Sequence, residues 1–246
     1  MSTPPPMTLT VPARFCGPPR SGNGGWTAGA VAAALLAELG RETAVRVALR
    51  MPPPLDTPFD LARDGEELTA RHDGAVVATA RPGEEPTPVA PVDVEEAREA
   101  EARYPGLARH PFPTCVVCGT GREPGDGLRL FTGPLTGDRS AATWTPDPSL
   151  APGANAQDVG TAVTWAAVDC PGAWAADIGE RLMVLGTMTA RVHHPAVVGE
   201  EHVVVGELRG REGRKTFTGA SLYSPSGALV AAAEHVWISV DAADFT

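Results

Sequence analysis

The sequence predicts an α+β fold in which one succession of elements occurs twice: a strand, a buried helix, then antiparallel strands. Apolar helix-like segments begin at Trp26 and Val159, and each precedes several strand-like segments. The two halves also resemble each other in sequence, since residues 68–80 match residues 220–233 with one residue added in the turn. A repeat unit of this length indicates a duplicated domain rather than a solenoid.

The elements of the first half begin with a short alternating stretch at residues 9–15, which predicts an edge strand. The glycine-rich segment GNGG at residues 22–25 precedes an Ala/Leu-rich helix that starts at Trp26 and stops at Gly40. The helix has almost no charge, so we expect it to be buried. Strands are predicted at residues 43–51 and 59–63, followed by a hairpin of residues 67–71 and 75–80 with an Asp73-Gly74 turn.

A proline-rich linker at residues 82–91 and a charged, exposed helix at residues 92–104 separate the halves. We therefore divide the chain into an N-terminal unit (1–91), a linker helix (92–110) and a C-terminal unit (111–246). In the second unit, a helix is predicted at residues 159–168. Strands are predicted at residues 128–131, 141–145, 182–193, 202–209, 215–223 and 228–240.

Composition excludes several classes of function. The net charge of −10 argues against nucleic acid as the main partner, because phosphate binding requires a basic face. No apolar run approaches the roughly 20 residues that span a membrane. The start of the sequence lacks a basic and apolar leader, and four cysteines are too few for a disulfide scaffold, so we expect a cytoplasmic protein.

The order of motifs in the second half resembles the hotdog thioesterases. The segments that carry this resemblance are PAVVGE (195–200), REGR (211–214) and GALVAA (227–232). It implies a double hotdog: two antiparallel sheets, each wrapped around a central helix and paired as a pseudo-dimer within one chain. It also implies a thioester of coenzyme A or of an acyl carrier protein as substrate, with no cofactor. The oligomeric state stays open, a homodimer included.

In these thioesterases, the start of one central helix offers backbone N–H groups to the thioester carbonyl, and a carboxylate of the other unit activates water or attacks directly. The resemblance assigns the first role to Gly24 and Gly25 and the second to Asp169. Eight residues beyond Gly25 stands only Ala33, and the start of the second helix, Asp158-Val159-Gly160, lacks a glycine pair. The sequence therefore predicts one intact site and one lost site.

Structural alternatives remain open for these residues. The glycines around Gly24 suit a flexible loop before a helix, and Asp169 suits a helix-end cap because Pro171 follows it. Against the cap, Asp169 is the only acid between Asp158 and Asp177 in an apolar stretch. The hydroxyl residue that some family members carry one turn after the carboxylate is replaced here by Ala173, which leaves the hydrolytic route open.

The resemblance also suggests further residues as substrate contacts. Asn23 and Trp26 flank the two glycines, and Trp26 borders either the acyl tunnel or the core. A basic hairpin is predicted either to meet the phosphates of coenzyme A or to be a solvated turn; its members are Arg209, Arg211, Arg214 and Lys215.

The sequence offers one metal-like spacing, Cys115 and Cys118. We expect these cysteines to bind no metal, because a structural zinc site needs four ligands and Cys16, Cys170 and His110 are scattered along the chain. A redox pair is the other alternative. His193 and His194 are expected to lie at the surface.

The sequence thus predicts an acyl-thioester hydrolase with one active site per chain. A non-catalytic hotdog protein that binds acyl thioesters or lipids is the principal alternative. A hydratase is disfavoured, because no histidine follows Asp169 within five residues.

Overall fold

A computed structural model describes residues 7–241 and 243, and within them a single antiparallel sheet dominates the molecule. The strands are β1 (Met7–Thr10), β2 (Val45–Leu49), β3 (Pro58–Asp64), β4 (Glu67–His72), β5 (Ala75–Pro82), β6 (Gly133–Pro134), β7 (Arg139–Trp144), β8 (Met183–Val192), β9 (His202–Glu212), β10 (Lys215–Tyr223) and β11 (Leu229–Ser239). Their spatial order is β1-β3-β4-β5-β2-β8-β11-β10-β9-β7-β6. The helices are α1 (Gly24–Leu39), α2 (Val94–Glu101), α3 (Gly160–Ala167) and α4 (Cys170–Ala175).

The two halves of the sheet meet at β2 and β8, which pair antiparallel from Val45 opposite Ala190 to Ala48 opposite Thr187. On either side of this junction the strand order is equivalent: β5, β4 and β3 on one side, β11, β10 and β9 on the other. The sheet therefore has the pseudo-twofold arrangement that the sequence repeat predicts, and pairing removes the inner edge that each half would otherwise expose.

The central helices pack against each other beneath this sheet, and glycines allow their close approach. A Cβ atom on Gly29 would lie 2.5 Å from Cβ of Trp165 in α3, and one on Gly25 would lie 2.4 Å from Cβ of Asp169. Because residues four apart lie on one face of a helix, Gly25 and Gly29 together leave that face of α1 without side chains. The helix ends at Gly40, whose φ of 64° suits glycine.

The second central helix is shorter than the prediction for residues 159–168 suggests, because the chain breaks its helical path after α3. Asp169 lies at the break, with φ −88° and ψ −76°, and Pro171 stands in the first turn of α4. Proline is tolerated in that turn because its N–H would have no partner there.

The structure contradicts the prediction of a strand at residues 128–131 and the prediction that the helix between the halves is exposed. Residues 128–131 do not form a strand; instead, the N–H groups of Leu128 and Leu130 bond to the carbonyls of Val116 and Val117, at 2.7 and 2.8 Å. The charged helix between the halves is not fully exposed either, since Ala97 and Ala100 of α2 are buried.

The linker before α2 crosses the second half of the sheet. The N–H of Val89 donates to Ser221 Oγ and its carbonyl accepts from the hydroxyl of Tyr223. The domain boundaries at residues 91 and 110 stay a prediction. Among the described residues, no helix combines the length and apolar character that crossing a bilayer requires.

Candidate active site

A cavity of about 400 Å³ opens where the two halves meet. The start of α1 contributes to it from the first half, and the α3–α4 break contributes from the second. Much of its wall is apolar, including Leu49, Phe112, Trp174, Ile178, Met183 and Leu185. A deep apolar space with a few polar groups at one point is the usual form of a small-molecule site.

The Asp169 carboxylate lies in the wall of the cavity, and this residue is 2% exposed. Its Oδ2 accepts the Gly25 backbone N–H at 3.0 Å and the Asn23 side-chain N–H at 3.1 Å. No hydrogen-bond partner reaches its Oδ1 among the described residues. Burial raises the pKa of this carboxyl to about 7, although the hydrogen bonds from Gly25 and Asn23 favour its charged form.

Asp169 does not act as the helix cap that the sequence left open. It occupies the residue before α4, but its side chain makes no capping bond to that helix. Instead, its carboxylate reaches across to the start of α1, where unpaired N–H groups and the helix dipole favour a negative charge.

Asn23 positions this carboxylate while capping α1. Its Oδ1 accepts the backbone N–H of Trp26 at 2.8 Å, and its Nδ2 donates to Asp169. Asn23 is 3% exposed, so its orientation is fixed by these bonds. Since the side chain spans both halves, it couples the start of α1 to the α3–α4 break.

The two predicted glycines differ in what they do. Gly25 commits its N–H to Asp169. Gly24 lines the cavity, and no protein acceptor for its N–H occurs in the described part of the chain. A Cβ on Gly24 would lie 2.9 Å from Cβ of Leu185 in the cavity wall, so a side chain at this position would force that wall to shift.

The other predicted substrate contacts lie away from the cavity. Trp26 stacks on Phe15 with ring centroids 4.5 Å apart and is absent from the cavity lining. Arg209 forms an ion pair with Glu234 at 2.5 Å, and the side chains of Arg211 and Arg214 bind the backbone carbonyls of Ala176 and Ser239. Lys215 is exposed, and none of these four basic residues lines the cavity.

Sequence reasoning missed other residues of the cavity wall, namely Arg50 and His110. Arg50 is exposed, directly after β2, and is a cation at the site. No motif marks Arg50 in the sequence, because its place at the cavity depends on the β2–β8 junction. The prolines that follow it are the one local hint of an irregular, functional segment.

Three buried cysteines also line the cavity, and this corrects the prediction that candidate metal ligands are scattered. The Sγ atoms of Cys115, Cys118 and Cys170 all lie within 4.8 Å of one another. Cys115 Sγ and Cys170 Sγ are 3.9 Å apart, and Asn23 Nδ2 lies 3.8 Å from Cys115 Sγ. Hydrogen bonds from Cys118 and Cys170 hold the pKa of Cys115 well below its ordinary value.

A second cavity of about 600 Å³ occupies the pseudo-symmetric position. Ala33 and Ala37 of α1 and Thr161 of α3 line it, with His193 and His194 at the end of β8. The N–H of Gly160 is taken by the Asp158 carboxylate at 2.9 Å. Alanine therefore stands where the first cavity has its buried carboxylate.

Comparison with known proteins identifies the fold. No described family matches the sequence, and no curated protein matches it. Among solved structures, the tesB protein of Mycobacterium avium subsp. paratuberculosis shares 16% identity over 95% of this chain and 91% of that chain, with a TM-score of 0.61. A hot dog protein of unknown function from Alicyclobacillus acidocaldarius shares 15% over 98% and 95%, with a TM-score of 0.63. The acyl-CoA thioesterase II of Mycobacterium marinum shares 12% over 95% and 92%, with a TM-score of 0.52. The chain therefore has the double-hotdog fold.

Proposed function

We propose that this protein is an acyl-thioester hydrolase with one active site per chain, acting on thioesters of coenzyme A or of an acyl carrier protein. One observation carries the proposal: a buried carboxylate from one half, Asp169, is held at the helix start of the other half, at the wall of an apolar cavity. The name of one protein that shares the fold, an acyl-CoA thioesterase II, supports it by analogy.

The two oxygens of the Asp169 carboxylate have different roles: one holds the group in place, and the other accepts a proton. Oδ2 is held by Gly25 and Asn23, which fixes the plane of the group. Oδ1 is buried and has no partner among the described residues, and we assign it the proton that water gives up as it attacks the thioester. Direct attack by Oδ1 on the thioester carbonyl would use the same geometry: the C–S bond would break and the thiolate would leave, and water would then hydrolyse the mixed anhydride and supply the proton that the thiolate takes up.

The Gly24 N–H is placed to stabilise the reaction. As water attacks the thioester carbonyl, negative charge develops on its oxygen, and a free N–H at a helix start stabilises that charge. The intermediate then expels the thiolate, which takes up the proton that Asp169 accepted. The products are a carboxylic acid and a free thiol. Because Gly25 is engaged by Asp169, Gly24 is the donor we assign to this role.

The remaining wall suits an acyl thioester. Apolar side chains such as Met183, Leu185 and Trp174 provide surface for an acyl chain. Arg50 provides a cation for the phosphates of coenzyme A or of a carrier's pantetheine arm. This assigns to Arg50 the role that the sequence suggested for the hairpin at residues 209–215.

The proposal is tested with the full chain and a panel of short, long and aryl acyl-CoA thioesters, by measuring free-thiol release. The same acyl groups on a carrier protein identify the carrier. We expect hydrolysis of at least one class above the non-enzymatic rate. If every substrate is left intact although acyl-CoA binds in the same experiment, the non-catalytic binding function is correct instead.

A further inference from the structure

We propose that Cys115, Cys118 and Cys170 form a binding site for zinc or a similar thiophilic divalent cation. This inference goes beyond the proposed hydrolase activity and does not depend on it. It also reverses the expectation from the sequence, whose premise was that the third ligand lies elsewhere.

The sulfur positions fit a tetrahedral ion. With zinc–sulfur bonds of about 2.3 Å, tetrahedral geometry places two sulfurs about 3.8 Å apart. The distance between Cys115 Sγ and Cys170 Sγ is 3.9 Å, and all three sulfurs lie within 4.8 Å of one another. A small contraction about a shared point would therefore bring the three into bonding distance.

The surroundings of Cys115 also suit a metal-bound thiolate. The Asn23 Nδ2 amide lies 3.8 Å from Cys115 Sγ, close enough to donate to the sulfur. Such donors stabilise a sulfur that carries negative charge. The loop at residues 115–118 is itself anchored, because the N–H of Gly119 bonds to the carbonyl of Cys115 at 2.9 Å.

The fourth position belongs to water from the cavity. His110 does not supply it, since its Nδ1 accepts the backbone N–H of Phe112 at 2.9 Å and its Nε2 lies 3.0 Å from the carbonyl of Cys118. All three cysteines line the cavity, so a bound ion has access to its water. Three protein ligands and one water is a common arrangement for zinc.

Such an ion would link two segments that are far apart in sequence. Cys170 follows Asp169 directly, so the cation would tie the loop at residues 115–118 to the break between α3 and α4. We therefore assign it a second effect, which is to stabilise the wall that carries the carboxylate.

The test uses the full chain in reducing buffer, after a thiol titration in denaturant has confirmed four reduced cysteines. The chain is equilibrated with zinc, desalted and analysed for bound metal. We expect about one zinc per chain and a higher melting temperature than for the chelator-treated protein. Cys118→Ser should lose its zinc at a chelator concentration at which the wild type retains it. Cys16→Ser is the matched control and should retain zinc, because Cys16 is buried outside the cluster.

Cobalt(II) gives a readout that needs no variant. In the wild type we expect sulfur-to-cobalt charge-transfer absorption of the strength that three thiolates produce, and in Cys118→Ser roughly two thirds of it. The proposal is overturned if reduced wild-type protein retains no more zinc than Cys118→Ser, or if cobalt binds without thiolate absorption.

Discussion

Replacing Asp169 with asparagine should separate activity from stability. Asparagine has the size of aspartate, and its carbonyl oxygen can accept the N–H groups of Gly25 and Asn23 that Oδ2 accepts now. Its amide group then replaces Oδ1 and cannot take a proton from water. We expect turnover to fall by roughly 10²- to 10⁴-fold, which corresponds to about 3–5 kcal/mol of transition-state stabilisation.

The free energy of unfolding of Asp169→Asn should rise while its turnover falls. Burial raises the pKa of the Asp169 carboxyl from 3.8 to about 7. Each pKa unit corresponds to 1.36 kcal/mol, so charging this group in the folded protein costs up to about 4 kcal/mol at pH 7. Between pH 3.8 and 7 the Asp169 carboxyl is protonated in the folded state and ionised in the unfolded state. The free energy of unfolding of the wild type therefore falls as the pH rises through that window. Asparagine has no such cost.

The assay combines thiol release with urea unfolding at pH 7, using chelator-treated protein so that bound metal does not contribute. Asp177→Asn is the matched control: it makes the same chemical change at an exposed residue whose φ of 59° asparagine tolerates. We expect no change in either measurement for the control. Turnover by Asp169→Asn within threefold of wild type would refute the proposed base or nucleophile. A variant less stable than wild type would refute the burial argument.

The remaining predictions concern the helix start, the cation of the cavity and a buried histidine. Gly25→Ala should lower both turnover and stability, by about 1–3 kcal/mol in unfolding, because its Cβ would lie 2.4 Å from Cβ of Asp169; a melting temperature equal to wild type would contradict this. Arg50→Gln should raise KM for acyl-CoA roughly fivefold with kcat unchanged, whereas the same change at Arg46, an exposed residue of the preceding strand β2, should not. A truncated thioester without phosphates should show no such difference, and an equal KM effect on it would exclude a phosphate contact. Burial lowers the pKa of His235 from 6.5 to about 4, so its contribution to stability is lost as the pH falls through this window. The stability advantage of wild type over His235→Gln, measured by urea unfolding, should therefore shrink by about 2 kcal/mol between pH 7 and pH 5; a constant difference would show that the histidine is not held neutral.

The amino-acid sequence alone predicted much of the architecture. The uncharged helix before Gly40, the Asp73-Gly74 turn and the repeated strand pattern are local signals, so they specify elements without knowledge of their neighbours. The lone acid Asp169 was identifiable for the same reason, because an unpaired carboxylate in an apolar stretch is costly to bury. That Asp169 meets the helix start at Gly24 and Gly25 was predicted only through the resemblance to double-hotdog thioesterases.

Tertiary structure decided which of these residues meet. Asn23 contacts Asp169, which lies 146 residues away in the sequence, and Cys115 contacts Cys170, which lies 55 residues away. The periodicity of a sequence predicts local elements and says nothing about contacts at such separations. The basic hairpin lies away from the cavity for a related reason: the pairing of the strands places Arg209 beside Glu234, which neutralises its charge. The sequence determined the elements and the acid, since both follow from local propensity and burial. Only strand pairing and helix packing determined the cavity, its cation and its sulfur cluster, because those depend on contacts between segments far apart in the chain.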